Sequence, residues 1–186
     1  MKKIIVTGCS SGIGYFIAEN LIKSGYKVVG LSRNEPKEKY NFDFEKCDVR
    51  NFDSVKSFFS KVKKDKDIYG LLNIAGIASM NLLVSTPDKT IQDIINTNLI
   101  GTIYCVKEVI PCFVRSRVGR IINFSSFAVK IGLQGESAYV ASKAGVEGFT
   151  RSIARELASL NVTVNCVSPG PIKTKLTSGV PSSYID

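Results

Sequence analysis

Short apolar runs rich in β-branched residues alternate along this chain with stretches whose apolar positions recur at helical spacing. The run at 3–6 is bounded by glycine and reads as a buried strand. Ile13, Phe16, Ile17, Leu21 and Ile22 then follow a helical period over 13–24, and Gly25 supplies a C-terminal stop. Further strands are predicted at 27–31, 42–47, 71–74, 120–124 and 162–167, with helices near 52–64 and over 137–159. Thr86-Pro87-Asp88 reads as an N-cap followed by proline at the first helical position, opening a long helix toward Arg115. Nearly continuous apolar strands alternating with helices imply one parallel sheet covered on both faces. Ligands bind such sheets beyond the carboxyl ends of the strands, where strand order reverses.

Composition narrows the chemistry. The 186 residues suffice for one domain with its own core, and a 44% hydrophobic, 22% charged chain is not a disordered one. No apolar run approaches the ~20 residues that cross a bilayer. Residues 1–6 are too short an apolar stretch for a signal peptide, so the expected location is the cytoplasm, with no membrane partner. The five cysteines are scattered, and no histidine is present, which excludes a zinc site of the usual kind and a Ser-His-Asp hydrolase. The net charge of +9 raises nucleic acid as a partner, but the basic residues are dispersed and lack interleaved aromatics, so none is expected.

The first strand runs into TGCSSGIG, residues 7–14. Gly8, Gly12 and Gly14 let main chain approach a pyrophosphate, Ser10 and Ser11 add hydroxyl donors, and a helix starting near Ile13 turns its free N–H groups toward the anion. The second strand ends in Leu31-Ser32-Arg33-Asn34, without a carboxylate to accept the ribose hydroxyls of NAD. Arg33 suits the 2′-phosphate of NADP, or is a turn arginine at the surface; NADP(H) is the preferred expectation and NAD(H) the other. Asp48 is placed either to accept the adenine amino group or to cap the following helix.

Tyr139 and Lys143 stand four apart and share one helix face, with Ser126 after the fifth strand. An ammonium beside a phenol favours the phenolate and lowers its pKa from ~10, bringing proton transfer nearer neutral pH. Ser126 is placed to hydrogen-bond a substrate oxygen as charge develops, whereas alternation points Ser125 the other way. On spacing alone, the tyrosine and lysine read better as an ordinary surface pair on a long helix, because such pairs are common.

The motifs in order resemble those of the short-chain dehydrogenase/reductase family: TGCSSGIG, Asp48-Val49, Asn73-Ile74-Ala75-Gly76, Asn98 within NTNLIG, Ser126, Tyr139 to Lys143 (YVASK), and Pro169-Gly170 through Thr174. The resemblance spans nearly the whole chain and implies a Rossmann-type doubly wound α/β fold in a single domain over 1–186. It implies a tyrosine acid/base, a lysine that lowers the tyrosine pKa and binds the nicotinamide ribose, a serine that positions the carbonyl, and an asparagine (Asn98) supporting a water relay. Asn73, Ala75 and Gly76 would line the cofactor cleft, Pro169, Gly170 and Ile172 would lie near the nicotinamide, and Thr174 would bond its carboxamide.

Within the family, the 3-oxoacyl-carrier-protein reductases are the nearest pattern, and Arg115, Arg117 and Arg120 are a candidate surface for an acidic carrier. Family members assemble as homodimers or homotetramers; the stripe Val140, Ala144, Phe149, Ile153, Leu157 fits interface and core alike.

The sequence departs from the family in three places. Asn73-Ile74 replaces Asn-Asn. Only about nine residues follow Arg33 before the next strand, fewer than the ~10–12 of a helical crossover. The chain stops at Asp186, so the usual C-terminal strand and lid are expected to be lacking, with 175–186 the start of that lid. The leading expectation is an NADP-dependent carbonyl reductase or alcohol dehydrogenase. A dinucleotide-binding module without turnover, acting as sensor or partner subunit, is the alternative.

Overall fold

The structure, a computed structural model, describes residues 1–172. Six strands form one parallel sheet: β1 (Lys3–Thr7), β2 (Lys27–Ser32), β3 (Asp43–Lys46), β4 (Ile68–Asn73), β5 (Gly119–Phe124) and β6 (Val162–Val167), in the spatial order β3-β2-β1-β4-β5-β6. Strand order reverses between β1 and β4, whose last residues Thr7 and Asn73 are in register. The connections there run to opposite sides, opening a crevice at the carboxyl ends. A Rossmann sheet is thus in place.

The helices are α1 (Gly12–Lys23), α2 (Phe52–Val62), α3 (Asp88–Ile95), α4 (Gly101–Ser116), α5 (Ala128–Ile131) and α6 (Ser137–Leu157). Alternate strand residues feed two cores. Ile5, Leu31, Leu71 and Ile121 meet Phe59, Val109, Phe113 and Ile153 from α2, α4 and α6; Ile4, Val6, Val28 and Leu72 meet Ala18 from α1. Coverage is unequal. On the α1 side, Thr163 and Asn165 of β6 are exposed while Val162 and Val164 face the main core, so among the described residues β6 is covered on one face only. That departs from the expectation of a sheet buried on both sides.

Strand and helix positions follow the sequence reading closely, including the helix-free crossover from β2 to β3. Two local features do not. Thr86 is no N-cap: its hydroxyl donates backwards to Leu82 O (3.0 Å), and Pro87 takes the cap position, because a side chain that has turned back cannot also reach the helix N–H groups. The long helix is interrupted by a π turn at Asn96–Ile100, which separates α3 from α4. The whole run Asp88–Ser116 is long and apolar enough, by length and composition, to cross a membrane. Its apolar side chains are nevertheless core: Ile94, Cys105, Val106, Val109 and Phe113 are each at most 1% exposed.

Of the stripe on α6, Ile153 and Leu157 lie in the core, Phe149 and Val140 pack against buried clusters, and only Ala144 is exposed. All five cysteines are free. Arg120 lies near the amino end of β5, and Arg115 and Arg117 precede that strand. They stand at the far end of the sheet from Ser126, about 20 Å away at the rise of a six-residue strand.

Candidate active site

Two cavities meet at the carboxyl ends of β1 and β4, sharing Ile13, Ile74 and Gly76 in their walls. The first, about 370 Å³, is floored by the loop from β1 to α1. The chain leaves β1 and turns at Gly8 (φ +75°), whose N–H donates to Leu31 O at 2.8 Å. A Cβ on Gly8 would lie 2.8 Å from the main chain of Ala75, and one on Gly14 only 2.2 Å from Gly8 O. These glycines close the loop against itself and against the segment after β4. Thr7, which the sequence reading left without a role, accepts Ile74 N (3.0 Å) and Ala75 N (3.1 Å) on its Oγ1 and locks that segment in place.

Helix α1 starts at Gly12 with Ser11 as an extended N-cap that makes no side-chain cap bond, and its first turn holds no acidic residue. Its leading N–H groups and the positive end of its dipole are therefore directed at the cavity. Gly8, Ser10, Ser11, Gly12, Ile13 and Gly14 all line it, as do Ala75 and Gly76 opposite. Arg33, Asp48 and Val49 line the end beyond β2 and β3. Asp48 does not cap α2, since Asn51 does so through Ser54 N at 3.0 Å. Arg50 grips Asp48 (Nη2–Oδ2 2.8 Å) and holds its carboxyl below the usual carboxylate range.

Asn73 is the exception among the expected cleft residues. It is buried in β4, lines neither cavity, and donates from Nδ2 to Asn123 Oδ1 at 2.9 Å. Asn123 in turn donates to Thr150 Oγ1 at 2.9 Å, so Asn73 belongs to a polar ladder beneath the site. Its register with Asn123 directs it there. A residue missed in the sequence, Thr97, lines the first cavity with a buried Oγ1 that has no partner among the described residues.

The second cavity, about 210 Å³, lies between the end of β5 and the first turns of α6. Ser126, Tyr139 and Lys143 all line it. Ser125 borders the same cavity but is buried, and its hydroxyl donates to Glu147 Oε1 at 2.7 Å. Lys143 Nζ donates to Phe124 O at 2.7 Å and sits 5.7 Å from the Tyr139 ring centroid. Burial pulls the lysine down to about 8, against a small opposing effect of Cys166.

Burial also pushes the Tyr139 phenol above its ordinary value; its hydrogen bond with Ser126 opposes this, and the Glu136 carboxylate adds to it. The tyrosine is thus raised, not lowered as the lysine–phenol pairing suggested. Desolvation of a group 7% exposed is the largest effect, and the ammonium is bonded to a carbonyl rather than to the phenol.

Asn98 is fully buried in the π turn, a distortion that recurs at functional sites. Its Oδ1 accepts Ile77 N (2.8 Å), and its Nδ2 donates to Ile77 O (2.9 Å) and Ser142 Oγ (3.0 Å). It clamps the segment after β4 to α6. A Cβ on Gly76 would stand 3.3 Å from Asn98 Oδ1 and 3.5 Å from Lys143 Nζ, so glycine there keeps the two close. Pro169, Gly170 and Ile172 close the cavity beyond β6, with Pro169 O accepting Phe127 N at 2.9 Å. Thr174 and the expected lid at 175–186 lie outside the described residues.

The short chain dehydrogenase family model matches residues 2–184. The chain belongs to this family. It is 40% identical over 180 residues to the 3-oxoacyl-acyl-carrier-protein reductase of Buchnera aphidicola, covering 92% of this chain and 74% of that protein. Among solved structures it is similar to the ligand-free aldohexose dehydrogenase of Thermoplasma acidophilum, with TM-score 0.89 and 41% identity over 95% of this chain and 69% of the other. The actinorhodin polyketide ketoreductase with NADPH superposes with TM-score 0.88 at 31% identity, over 100% and 76% of the two chains. The chain is therefore a short-chain dehydrogenase/reductase, an oxidoreductase on a Rossmann sheet.

Proposed function

We propose that the protein is an NADP(H)-dependent oxidoreductase that interconverts a carbonyl and a secondary alcohol, with Ser126, Tyr139 and Lys143 at the reacting oxygen. One observation carries this reading: the uncapped N-terminus of α1 and the serine–tyrosine–lysine set open into adjoining cavities at the strand-order reversal. The residues fit a dinucleotide. Glycines at 8 and 14 leave no room for a Cβ beneath the loop, the leading N–H groups of α1 suit a pyrophosphate, and Thr97, on the wall of the same cavity, has an Oγ1 without a hydrogen-bond partner among the described residues.

Bound there, the nicotinamide cofactor supplies or takes the hydride. Arg33 would pair with a 2′-phosphate, Asp48 and Val49 would border the adenine, and Ala75 and Gly76 the ribose and pyrophosphate. Pro169, Gly170 and Ile172 would border the nicotinamide, and Thr174 would bond its carboxamide. Ser126 holds the substrate oxygen by hydrogen bond, and Tyr139 gives that oxygen a proton as the carbon gains hydride. A phenol held above its ordinary pKa stays protonated at neutral pH, which suits the reducing direction. Lys143 orients the ribose and, with Asn98 holding the Ile77 segment, supports proton resupply.

A carrier-bound 3-oxoacyl thioester is one candidate substrate. Arg115, Arg117 and Arg120 are unsuited to dock its carrier, lying at the opposite end of the sheet. Assembly as a homodimer or homotetramer in the cytoplasm completes the reading.

Tyr139→Phe removes the proton donor and leaves the phosphate loop untouched. Turnover of any carbonyl substrate should fall by about 10²–10⁴, with NADPH affinity, read by nicotinamide fluorescence, near wild type. A variant that kept turnover would sink the acid/base assignment, and a wild-type protein that bound NADPH yet reduced no carbonyl would favour the sensor module. Arg33→Asp should weaken NADPH binding by roughly 10–100-fold, the worth of a charge-assisted contact, with little effect on NADH. Equal losses for both would transfer the preference to NAD(H).

A further inference from the structure

We infer that Glu136 sets substrate specificity, selecting a carbonyl compound that carries a hydroxyl group next to the reacting carbon. The inference rests on the hydride-transfer reading of the same cleft. Glu136 is 6% exposed and forms part of the wall of the cavity that holds Ser126 and Tyr139. It occupies the N-cap position of α6, where a carboxylate ordinarily bonds the first free N–H groups, yet its side chain makes no cap bond. Among the described residues its carboxyl takes part in no hydrogen bond and no ion pair. It stands at the helix N-cap three residues before Tyr139, shares the cavity with it, and its charge is felt by the phenol.

The wall around it is largely apolar, with Ile13, Ala78, Ala128, Ile131 and Leu133, and its polar members Ser126, Tyr139 and Lys143 bond elsewhere among the described residues. A carboxyl that opens onto a largely apolar cavity with no protein partner is poorly solvated, and burial raises its pKa. Packing alone would favour leucine here. The group that repays the burial is one delivered by the substrate, and it must donate. A hydroxyl beside the reacting carbon, whose oxygen sits on Ser126 and Tyr139, gives Glu136 that O–H. A carboxylate, a phosphate or a bare carbonyl at the same point brings a second acceptor against the first and is disfavoured.

The test compares kcat/KM of the full chain with NADPH for a 2-hydroxyketone and its matched unsubstituted ketone. Wild type should prefer the hydroxyketone by about 100-fold or more, because a site built around a hydrogen bond rejects the analogue that leaves it unpaired. Glu136→Leu should bring the two substrates to within a few-fold of each other, mainly by raising KM for the hydroxyketone, while Glu136→Gln, which keeps shape and an acceptor oxygen, should retain much of the preference. A wild-type ratio near one, or one that Leu leaves unchanged, overturns the inference and leaves hydride transfer standing. Preference for the matched 2-aminoketone over the hydroxyketone overturns it too. If wild type binds NADPH and reduces neither ketone, the underlying reading fails and this inference with it.

Discussion

The cavity beside β1 and β2 is shaped by close main-chain contacts, whereas the one between β5 and α6 holds buried ionisable side chains. In the first, the close distances involve backbone atoms: Gly8 against Ala75, Gly14 against Gly8 O, and Thr7 Oγ1 holding two N–H groups. In the second, the working groups are a phenol, an ammonium and a carboxyl, each at most 7% exposed. A wall of peptide dipoles binds an anion whatever its side chains, but it has no tolerance for added volume. A wall of buried ionisable groups tolerates modest reshaping and depends on which of them carries a proton. The two halves should therefore fail in different ways.

The sharpest way to break that contrast is a single methyl group. Gly14→Ala places a Cβ 2.2 Å from Gly8 O, and the obstacle is backbone on both sides. The loop must part from the start of α1, costing about 1–3 kcal/mol of stability as overpacking does. Dinucleotide affinity should drop by two orders of magnitude or more, while the second cavity, tied to α6 and β5, keeps its geometry. Fluorescence titration with NADPH alongside a thermal melt checks both. Binding within a few-fold of wild type would show that the loop is soft and that the main-chain wall matters less than the side chains near it.

The two halves also differed in how readily they could be read from residue order. The loop 7–14 is contiguous, and its function depends on where a strand ends and a helix begins, which local periodicity reveals. The strand positions and the short β2–β3 crossover were legible for the same reason: each follows from alternation or spacing within a few residues. Asn73 was misplaced because its direction depends on register with Asn123, a pairing between strands 50 residues apart. The sign of the Tyr139 shift was hidden too, since proximity of a lysine shows in a four-residue spacing and desolvation does not. The π turn at Asn96–Ile100 had no periodic signature, and the uncovered face of β6 depends on what packs there. The roles of Thr97 and Glu136 are visible only once three-dimensional neighbours show what they lack.

Lys143 offers a test of the side-chain half that needs no substrate. Its pKa is about 8 in the fold against 10.5 for the free side chain, with burial as the cause. Between those values the unfolded chain binds more protons than the folded one, so stability rises with pH through this window. Below about 8 both states carry the charge and the fold bears the full penalty; above about 10.5 both are neutral and it is gone. The rise should amount to about 3 kcal/mol at most. Lys143→Met should lack it, so the difference between the two proteins in urea unfolding should change across pH 8 to 10.5 and stay flat below. Parallel pH curves would mean that the ammonium is better solvated than its 5% exposure indicates, and the contrast between the halves would blur.

The smallest expected effect probes a single side chain within the main-chain half. Thr97 is 7% exposed and lines the first cavity, and among the described residues its buried Oγ1 has no partner. Valine has the same shape without the hydroxyl. If the orphaned oxygen serves only a bound nucleotide, Thr97→Val should leave the free protein as stable as wild type or slightly more so, because an unsatisfied polar group has been removed. Affinity for NADPH and NADH should then weaken equally, by roughly 2–10-fold, the worth of one neutral hydrogen bond of about 0.5–1.5 kcal/mol. Thermal melts with and without dinucleotide separate the two effects: the free protein's midpoint holds or rises while the ligand-induced increment shrinks. A free protein destabilised by the change would mean that Thr97 has a partner within the fold, and an unchanged increment would mean that the nucleotide does not reach it.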